Sequence, residues 1–334
     1  MKVAVYNTKP YDKEYLEKAA AGTNHELVFL ESPLKERSVK LAEGCDAVCV
    51  FVNDNLNDKI IESLHCIGVK LIALRCAGFN NVDIVAAYQK NIKVLRVPAY
   101  SPHAVAEHAI ALILTLNRKT HKAYNRVREG NFSLDRLIGF DLNGKTVGVI
   151  GTGKIGAVFA QLIKGFGCNI LAYDKFENKE LAGIGQYVPM DTLFNQSDII
   201  SLHCPLTPDT HNLVNAESIA KMKKGVMIIN TSRGKLIDTE SAINGLKTGQ
   251  IGYLGIDVYE QEESIFFKDL SESIIADDKI MRLMTFPNVL ITAHQAFFTD
   301  NAMVQIANTT LQNITDFETG NIKHSNEVTP EMVK

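Results

Sequence analysis

The stretch that most narrows the possible folds is a short apolar run that leads directly into a glycine triplet. Lys145-Thr146-Val147-Gly148-Val149-Ile150 is followed at once by Gly151-Thr152-Gly153-Lys154-Ile155-Gly156. Glycines at this spacing also arise by chance and in plain turns. Here they follow a strand pattern and open a helical one, Ala157 to Lys164, and that context gives the spacing meaning. Gly151 permits a tight turn, Gly153 lets a pyrophosphate approach the backbone, and Gly156 allows close helix–strand packing. The N–H groups that open the helix, from Lys154 and Ile155 onward, then offer partial positive charge to phosphates. The next strand pattern, Asn169–Tyr173, ends at Asp174, eighteen residues past Gly156. That is close to the spacing of about 20 residues for an acid that accepts from ribose hydroxyls. A carboxylate there repels a 2′-phosphate, so NAD is expected over NADP, with Lys175 as a counterweight.

The rest of the chain repeats strand and helix patterns on both sides of this loop. Before it, strands are expected at Val3–Tyr6, Glu26–Leu30, Ala47–Val52, Lys70–Leu74 and Ile92–Leu95, with helical spacing over Asp12–Ala21 and Asp58–His65. After it, they are expected at Asp198–Leu202, Gly225–Asn230, Tyr253–Asp257 and Val289–Thr292, then a helix over Ala302–Phe317. Alternation of this kind implies parallel sheets. Ser101 and Pro102 suit a helix start, and Ala104–Leu116 is too apolar for a surface helix. A linker is expected from Arg126 to Asn143. With 334 residues, two domains are the natural count.

Composition removes several function classes. Apolar residues make up 46% and charged residues 22%, which excludes intrinsic disorder and coiled coil. A net charge of −3 leaves no electrostatic footprint for nucleic acid or anionic lipid. Six cysteines lack C-x-x-C spacing, so reduced buried thiols are expected rather than a metal or disulfide framework. The start of the chain becomes polar too soon for a signal peptide, and no apolar run approaches the roughly 18 residues of a membrane span. A cytoplasmic protein is expected.

Ligands of open α/β sheets bind beyond the carboxyl ends of strands. Three such ends carry reactive side chains: Arg233 after Gly225–Asn230, Glu262 after Tyr253–Asp257, and His294 after Val289–Thr292. Each alone has an ordinary explanation, as a surface cation, part of an acidic loop with Glu260 and Glu263, or a packed histidine. Together they match what hydride chemistry on a 2-oxo acid requires. A guanidinium holds the carboxylate in bidentate geometry. An imidazole donates and retakes the proton, and a carboxylate supports and orients that imidazole.

At these residues the chain resembles the D-isomer specific 2-hydroxyacid dehydrogenases, most closely their D-lactate dehydrogenase branch. The resemblance runs through Leu74–Asp83, Pro98–His108, the glycine loop, Thr231-Ser232-Arg233-Gly234, Asp257-Val258-Tyr259-Glu260 and His294-Gln295-Ala296-Phe297. It implies that Arg233, Glu262 and His294 are catalytic. It places the substrate at Ala77 and Gly78, whose N–H groups meet the carboxylate, and at Tyr100, Phe51 and Phe297, which wall an apolar pocket. NAD would also contact Cys204, Pro205, Thr210, Thr231, Ser232 and Asp257, the last through its nicotinamide carboxamide.

The resemblance further implies a flavodoxin-like substrate domain from residues 1–100 plus 300–334, a Rossmann NAD-binding domain over 101–299, and a cleft between them. It implies a homodimer or homotetramer and D-stereochemistry. The small apolar pocket favours pyruvate and D-lactate, in fermentation, with a bulkier 2-oxo acid as the alternative. Formate dehydrogenases share the scaffold but pair the histidine with a glutamine, unlike Glu262. Corepressors of this fold, which sense NAD(H), are the rival from another class.

Overall fold

The computed structural model describes residues 1–333. The chain divides into two compact units, Met1–Ser101 with Phe298–Lys334, and Pro102–Phe297. In the first, strands β1 (Lys2–Val5), β2 (Glu26–Phe29), β3 (Ala47–Val50), β4 (Leu71–Leu74) and β5 (Lys93–Leu95) alternate with helices α1 (Pro10–Ala20), α2 (Asp58–Cys66) and α3 (Ile84–Gln89). Every pairing is parallel, in the order β2-β1-β3-β4-β5. Helices cover both faces of such a sheet, so its central strands read as continuous apolar runs; β3 and β4 are buried along their whole length. Local capping sets the helix starts. The Asn57 side chain accepts from the Ile60 N–H at 3.1 Å, and Asp83 accepts from Ala86 at 2.9 Å.

The second unit opens with α4 (Pro102–Arg118) and α5 (Thr120–Arg128). It continues through β6 (Thr146–Ile150), α6 (Lys154–Lys164), β7 (Asn169–Tyr173), β8 (Gln186–Tyr187), α7 (Met190–Gln196) and β9 (Ile199–Leu202). Then come α8 (Ala216–Lys221), β10 (Val226–Asn230), α9 (Thr239–Thr248), β11 (Ile251–Ile256), α10 (Asp278–Met284) and β12 (Val289–Ile291). The seven-stranded sheet is ordered β12-β11-β10-β9-β6-β7-β8 and is parallel throughout. Chain direction across the sheet reverses between β6 and β9, the switch point where such sheets bind ligands. The apolar α4 packs against α6 and the sheet, sharing a core with Val147, Val149 and Phe159. The chain then returns to the first unit as α11 (Asp300–Glu318), which packs beside α1 and β4.

The two parallel-sheet α/β units match the expected fold class. One local expectation needs correction, and one element was not foreseen. Residues 126–128, expected in a linker, close α5 instead, because Lys119 at φ 50° ends α4 and no glycine interrupts the chain again until Gly130. Strand β8 was not expected; two residues at a sheet edge are too short to show an alternating pattern. Among the described residues no helix is long and apolar enough to cross a membrane.

The glycine triplet joins β6 to α6. Gly151 has φ +90°, a conformation L side chains rarely adopt, and a Cβ on Gly156 would overlap the Gly151 carbonyl oxygen. Gly156→Ala should therefore force β6 and α6 apart, costing about 1–3 kcal/mol in overpacking and weakening NADH binding. Urea denaturation and fluorescence titration check this; unchanged stability and affinity would contradict it.

Candidate active site

The glycine loop presents the features a dinucleotide needs. Gly153 caps α6 with no side-chain hydrogen bond, is exposed, and has open space where a Cβ would stand. Lys154 beside it is also exposed. Asp174, just past β7, is fixed on one side: its Oδ2 accepts from the Thr152 N–H at 2.5 Å and from the Thr152 hydroxyl at 3.2 Å. Its Oδ1 accepts from the Phe176 N–H. The Tyr187 hydroxyl donates to Thr152 Oγ1 at 2.8 Å and accepts from the Asn178 N–H at 2.7 Å, bracing the same turn. An open pocket of about 260 Å³ lies against Tyr173, Asp174, Glu177, Tyr187, Val188 and Pro189. Lys175, the counterweight to NAD preference, pairs with Asp209 at 2.6 Å.

Cys204 and Pro205 follow β9, the strand beside β6. Thr210 shapes their loop: its hydroxyl donates to the Pro205 carbonyl at 2.7 Å and accepts from the Thr207 N–H at 2.8 Å. The Ser232 hydroxyl donates to the Cys204 carbonyl at 2.7 Å, tying the ends of β9 and β10 together. Thr231 Oγ1 is buried with no hydrogen-bond partner among the described residues, a cost that a polar ligand would remove. These observations fit a bound dinucleotide.

Arg233, Glu262 and His294 follow β10, β11 and β12, which are adjacent in the sheet. Arg233 is half-buried, its Nη1 donating to the Ser232 carbonyl at 2.7 Å. The Arg233 carbonyl accepts from Asn230 Nδ2 at 2.8 Å. At Gly234 a Cβ would overlap the Tyr259 carbonyl group, so this glycine lets the Arg233 loop press against the loop that carries Glu262. In that acidic loop the three carboxylates separate by environment. Glu260 pairs with Lys279 and Glu263 is exposed. Glu262 points at His294, with Oε1 2.8 Å from Nδ1 while Oε2 accepts from the Tyr259 N–H at 2.9 Å. Phe267 and Phe297 flank the imidazole, ring centroids 5.8 and 6.5 Å away.

His294 sits at φ 52°, where non-glycine residues are uncommon. Asp257 holds it there. The Asp257 carbonyl accepts from the His294 N–H at 2.7 Å. Its carboxylate accepts from the Gln295 and Ala296 N–H groups at 2.9 and 2.8 Å and from the Thr292 hydroxyl at 2.5 Å. His108 of α4 lies 3.4 Å from the carboxylate and 3.0 Å from the Thr292 hydroxyl. Resemblance assigns Asp257 to the nicotinamide carboxamide; here the residue is fully buried and its oxygens serve the chain itself.

Residues 110–296 match the D-isomer specific 2-hydroxyacid dehydrogenase NAD-binding domain. The chain belongs to the D-isomer specific 2-hydroxyacid dehydrogenase family. It is 55% identical to a 2-hydroxyacid dehydrogenase homolog of Haemophilus influenzae over 323 residues, 96% of this chain and 98% of that one. It is 53% identical to the D-lactate dehydrogenase of Escherichia coli over 321 residues, 96% and 98% of the two chains. The apo structure of D-lactate dehydrogenase from Escherichia coli superposes with a TM-score of 0.90 at 50% identity, covering 98% of this chain and 100% of that chain. This family member is an NAD-dependent oxidoreductase.

The remaining expected substrate residues lie in the first unit. Phe51 follows β3, and Ala77 and Gly78 follow β4. The Ala77 carbonyl accepts from Arg96 Nη1 at 3.0 Å, and the Gly78 carbonyl from the Cys76 thiol at 3.3 Å. Tyr100, half-buried, stands just before α4. Sequence reasoning passed over Thr152, Asn178, Tyr187, His108, Gly234 and Phe267. Gly234 had a signal, as a glycine directly after a candidate catalytic arginine at a strand end, while Thr152 within the glycine loop and His108 at the end of the Pro98–His108 stretch were not singled out.

Burial pushes the Asp257 carboxyl up, but the donors from His108, Thr292 and Ala296 outweigh it and hold it below its ordinary 3.8. With a depressed folded value, its stabilisation is complete at neutral pH and is lost as pH falls through that value. Asp257→Asn, which turns an amide toward N–H donors, should cost about 1–3 kcal/mol at pH 7. The gap should shrink as pH drops below 3.8. Urea midpoints across pH check this; a gap independent of pH would contradict it.

Proposed function

We propose that this chain is an NAD-dependent D-lactate dehydrogenase, reducing pyruvate reversibly to D-lactate. The observation that carries the reading is the His294–Glu262 pair held on the Asp257-fixed turn, on the strand series that also carries Arg233. Bound NADH supplies the hydride. An ionised carboxylate only accepts hydrogen bonds, so Glu262 places a proton on His294 Nδ1. Nε2 is then the nitrogen that gives a proton to the substrate carbonyl oxygen during reduction and takes one from the hydroxyl in reverse. Among the described residues no carboxylate pairs with Arg233, which suits a planar guanidinium that takes the substrate carboxylate in a bidentate grip.

Ala77 and Gly78 are assigned as further donors to that carboxylate, and Phe51, Tyr100 and Phe297 as walls around the methyl group. Asp174, Gly151, Gly153, Lys154, Ile155, Gly156, Cys204, Pro205, Thr210, Thr231, Ser232 and Asp257 are assigned to NAD, and Asp257 also holds the turn that carries His294. All six cysteines stand as free thiols, which supports a reducing, cytoplasmic setting. Exposed Phe132, Leu134 and Ile138 support self-association into a homo-oligomer.

His294→Ala should lower kcat for pyruvate reduction by about 10²–10⁴-fold or more while leaving NADH affinity near normal. Steady-state kinetics with a fluorescence titration of NADH checks both, and a variant that still turns over well would refute the proton-donor role. Asp174→Ala should abolish the preference for NADH over NADPH, read from the ratio of kcat/KM for the two cofactors; an unchanged ratio would remove Asp174 from ribose recognition.

A further inference from the structure

Arg75 is the most buried guanidinium in the first unit and carries no assigned role. It is 2% exposed and lies directly after β4, two residues before the Ala77 turn. Its Nη2 donates to the Asn7 carbonyl at 3.1 Å, while among the described residues Nε and Nη1 make no well-formed hydrogen bond, with the Cys49 thiol beside the guanidinium. Asp12 Oδ1 stands 3.4 Å from Nε. A guanidinium buried with incomplete hydrogen bonding is a weak source of stability. What it does contact is specific: its central carbon lies 5.2 Å from the centroid of the Phe51 ring. The Phe51 backbone is held separately. Its N–H donates to Asp54 Oδ2 at 2.9 Å, and its carbonyl accepts from Asn81 Nδ2 at 2.9 Å. Asp54 in turn accepts from the Leu34 N–H. With the backbone fixed this way, the ring's position depends on what lies against its face.

We propose that Arg75 is a positioning residue for substrate size, acting through the Phe51 ring. A planar guanidinium lying over an aromatic face fixes that face both by cation–π attraction and by shape. Moving or loosening the ring enlarges the apolar wall that meets the substrate side chain. The inference rests on the proposed 2-oxo acid activity and on Phe51 as a pocket wall.

The test is a kinetic panel of pyruvate, 2-oxobutanoate and 4-methyl-2-oxopentanoate with NADH, run on wild type, Arg75→Lys, Arg75→Met, Phe51→Leu and Phe51→Leu/Arg75→Lys. Arg75→Lys keeps the charge beside Asp12 but cannot lie flat on a ring. It should fold, bind NADH normally, and raise KM for pyruvate more than it lowers kcat. Its ratio of kcat/KM for pyruvate over 4-methyl-2-oxopentanoate should fall about 10-fold or more, the scale of a methylene-sized change in a pocket. Arg75→Met should behave alike, and Phe51→Leu should shift the ratio the same way. In the double variant, Arg75→Lys should add no further shift to that of Phe51→Leu.

Equal losses for all three substrates, rescue by lysine, or a full extra shift in the double variant would each overturn the proposal. Where Arg75→Met fails to fold, the lysine and double variants decide. A wild type that reduces none of the three 2-oxo acids would instead overturn the proposed function, before any variant is compared.

Discussion

The buried carboxylate of Asp257 is the interaction on which the second unit's chemistry depends. It stands at the end of β11, between the strands that carry Arg233 and His294, and collects donors from Thr292, Gln295 and Ala296. Consecutive N–H groups aimed at one carboxylate bend the chain into a tight turn, and that turn accommodates His294 at positive φ. A left-handed histidine costs energy that surrounding contacts must over-determine. Here the contacts are charge-assisted and buried, the kind that gain most from a low local dielectric. The imidazole is thereby held in place by the chain itself, with Glu262 against its Nδ1.

How much of this could be read beforehand depended on whether a residue acts in its own stretch of chain. The glycine loop and Asp174 belong to one strand–helix–strand unit, so spacing alone placed them. Arg233, Glu262 and His294 are distant in sequence, yet each lies in the loop after a strand, and parallel topology brings strand ends to one edge. Glu262 could not be told from Glu260 and Glu263 by composition, because the distinction is their three-dimensional partners: Lys279 for one, solvent for another, His294 for the third. His108 and Tyr187 were invisible for the same reason. Their role is to meet Asp257 and Thr152 across packed elements, and no local pattern records such a meeting. Strand β8 and the last turns of α5 failed differently, through being too short or too polar for any period to stand out.

The two sheets use their switch points alike. In the first unit the order reverses between β1 and β3, and in the second between β6 and β9. Loops diverge on opposite faces there, leaving a crevice that backbone N–H groups can line. The second unit fills its crevice with glycine, whose missing Cβ admits a phosphate. The first places buried Asn7, Asp54 and Arg75 beside its own, so one geometric opportunity is used in two different ways.

Two of the charges buried beyond strand ends, Asp257 in one unit and Arg75 in the other, differ in how well they are satisfied. Asp257 has short hydrogen bonds to both oxygens, so removing its charge leaves several donors facing each other. Arg75 leaves donors unused and gains from Asp12 and the Phe51 face instead. A fully bonded carboxylate makes a rigid support, as suits the proton transfer proposed for His294, which needs placement to within a fraction of an ångström. A guanidinium packed on a ring defines a surface rather than a bond angle, and a pocket wall that measures a side chain needs its surface placed more than its polar atoms aligned. The chemistry of each buried charge follows from the tolerance its neighbour can allow.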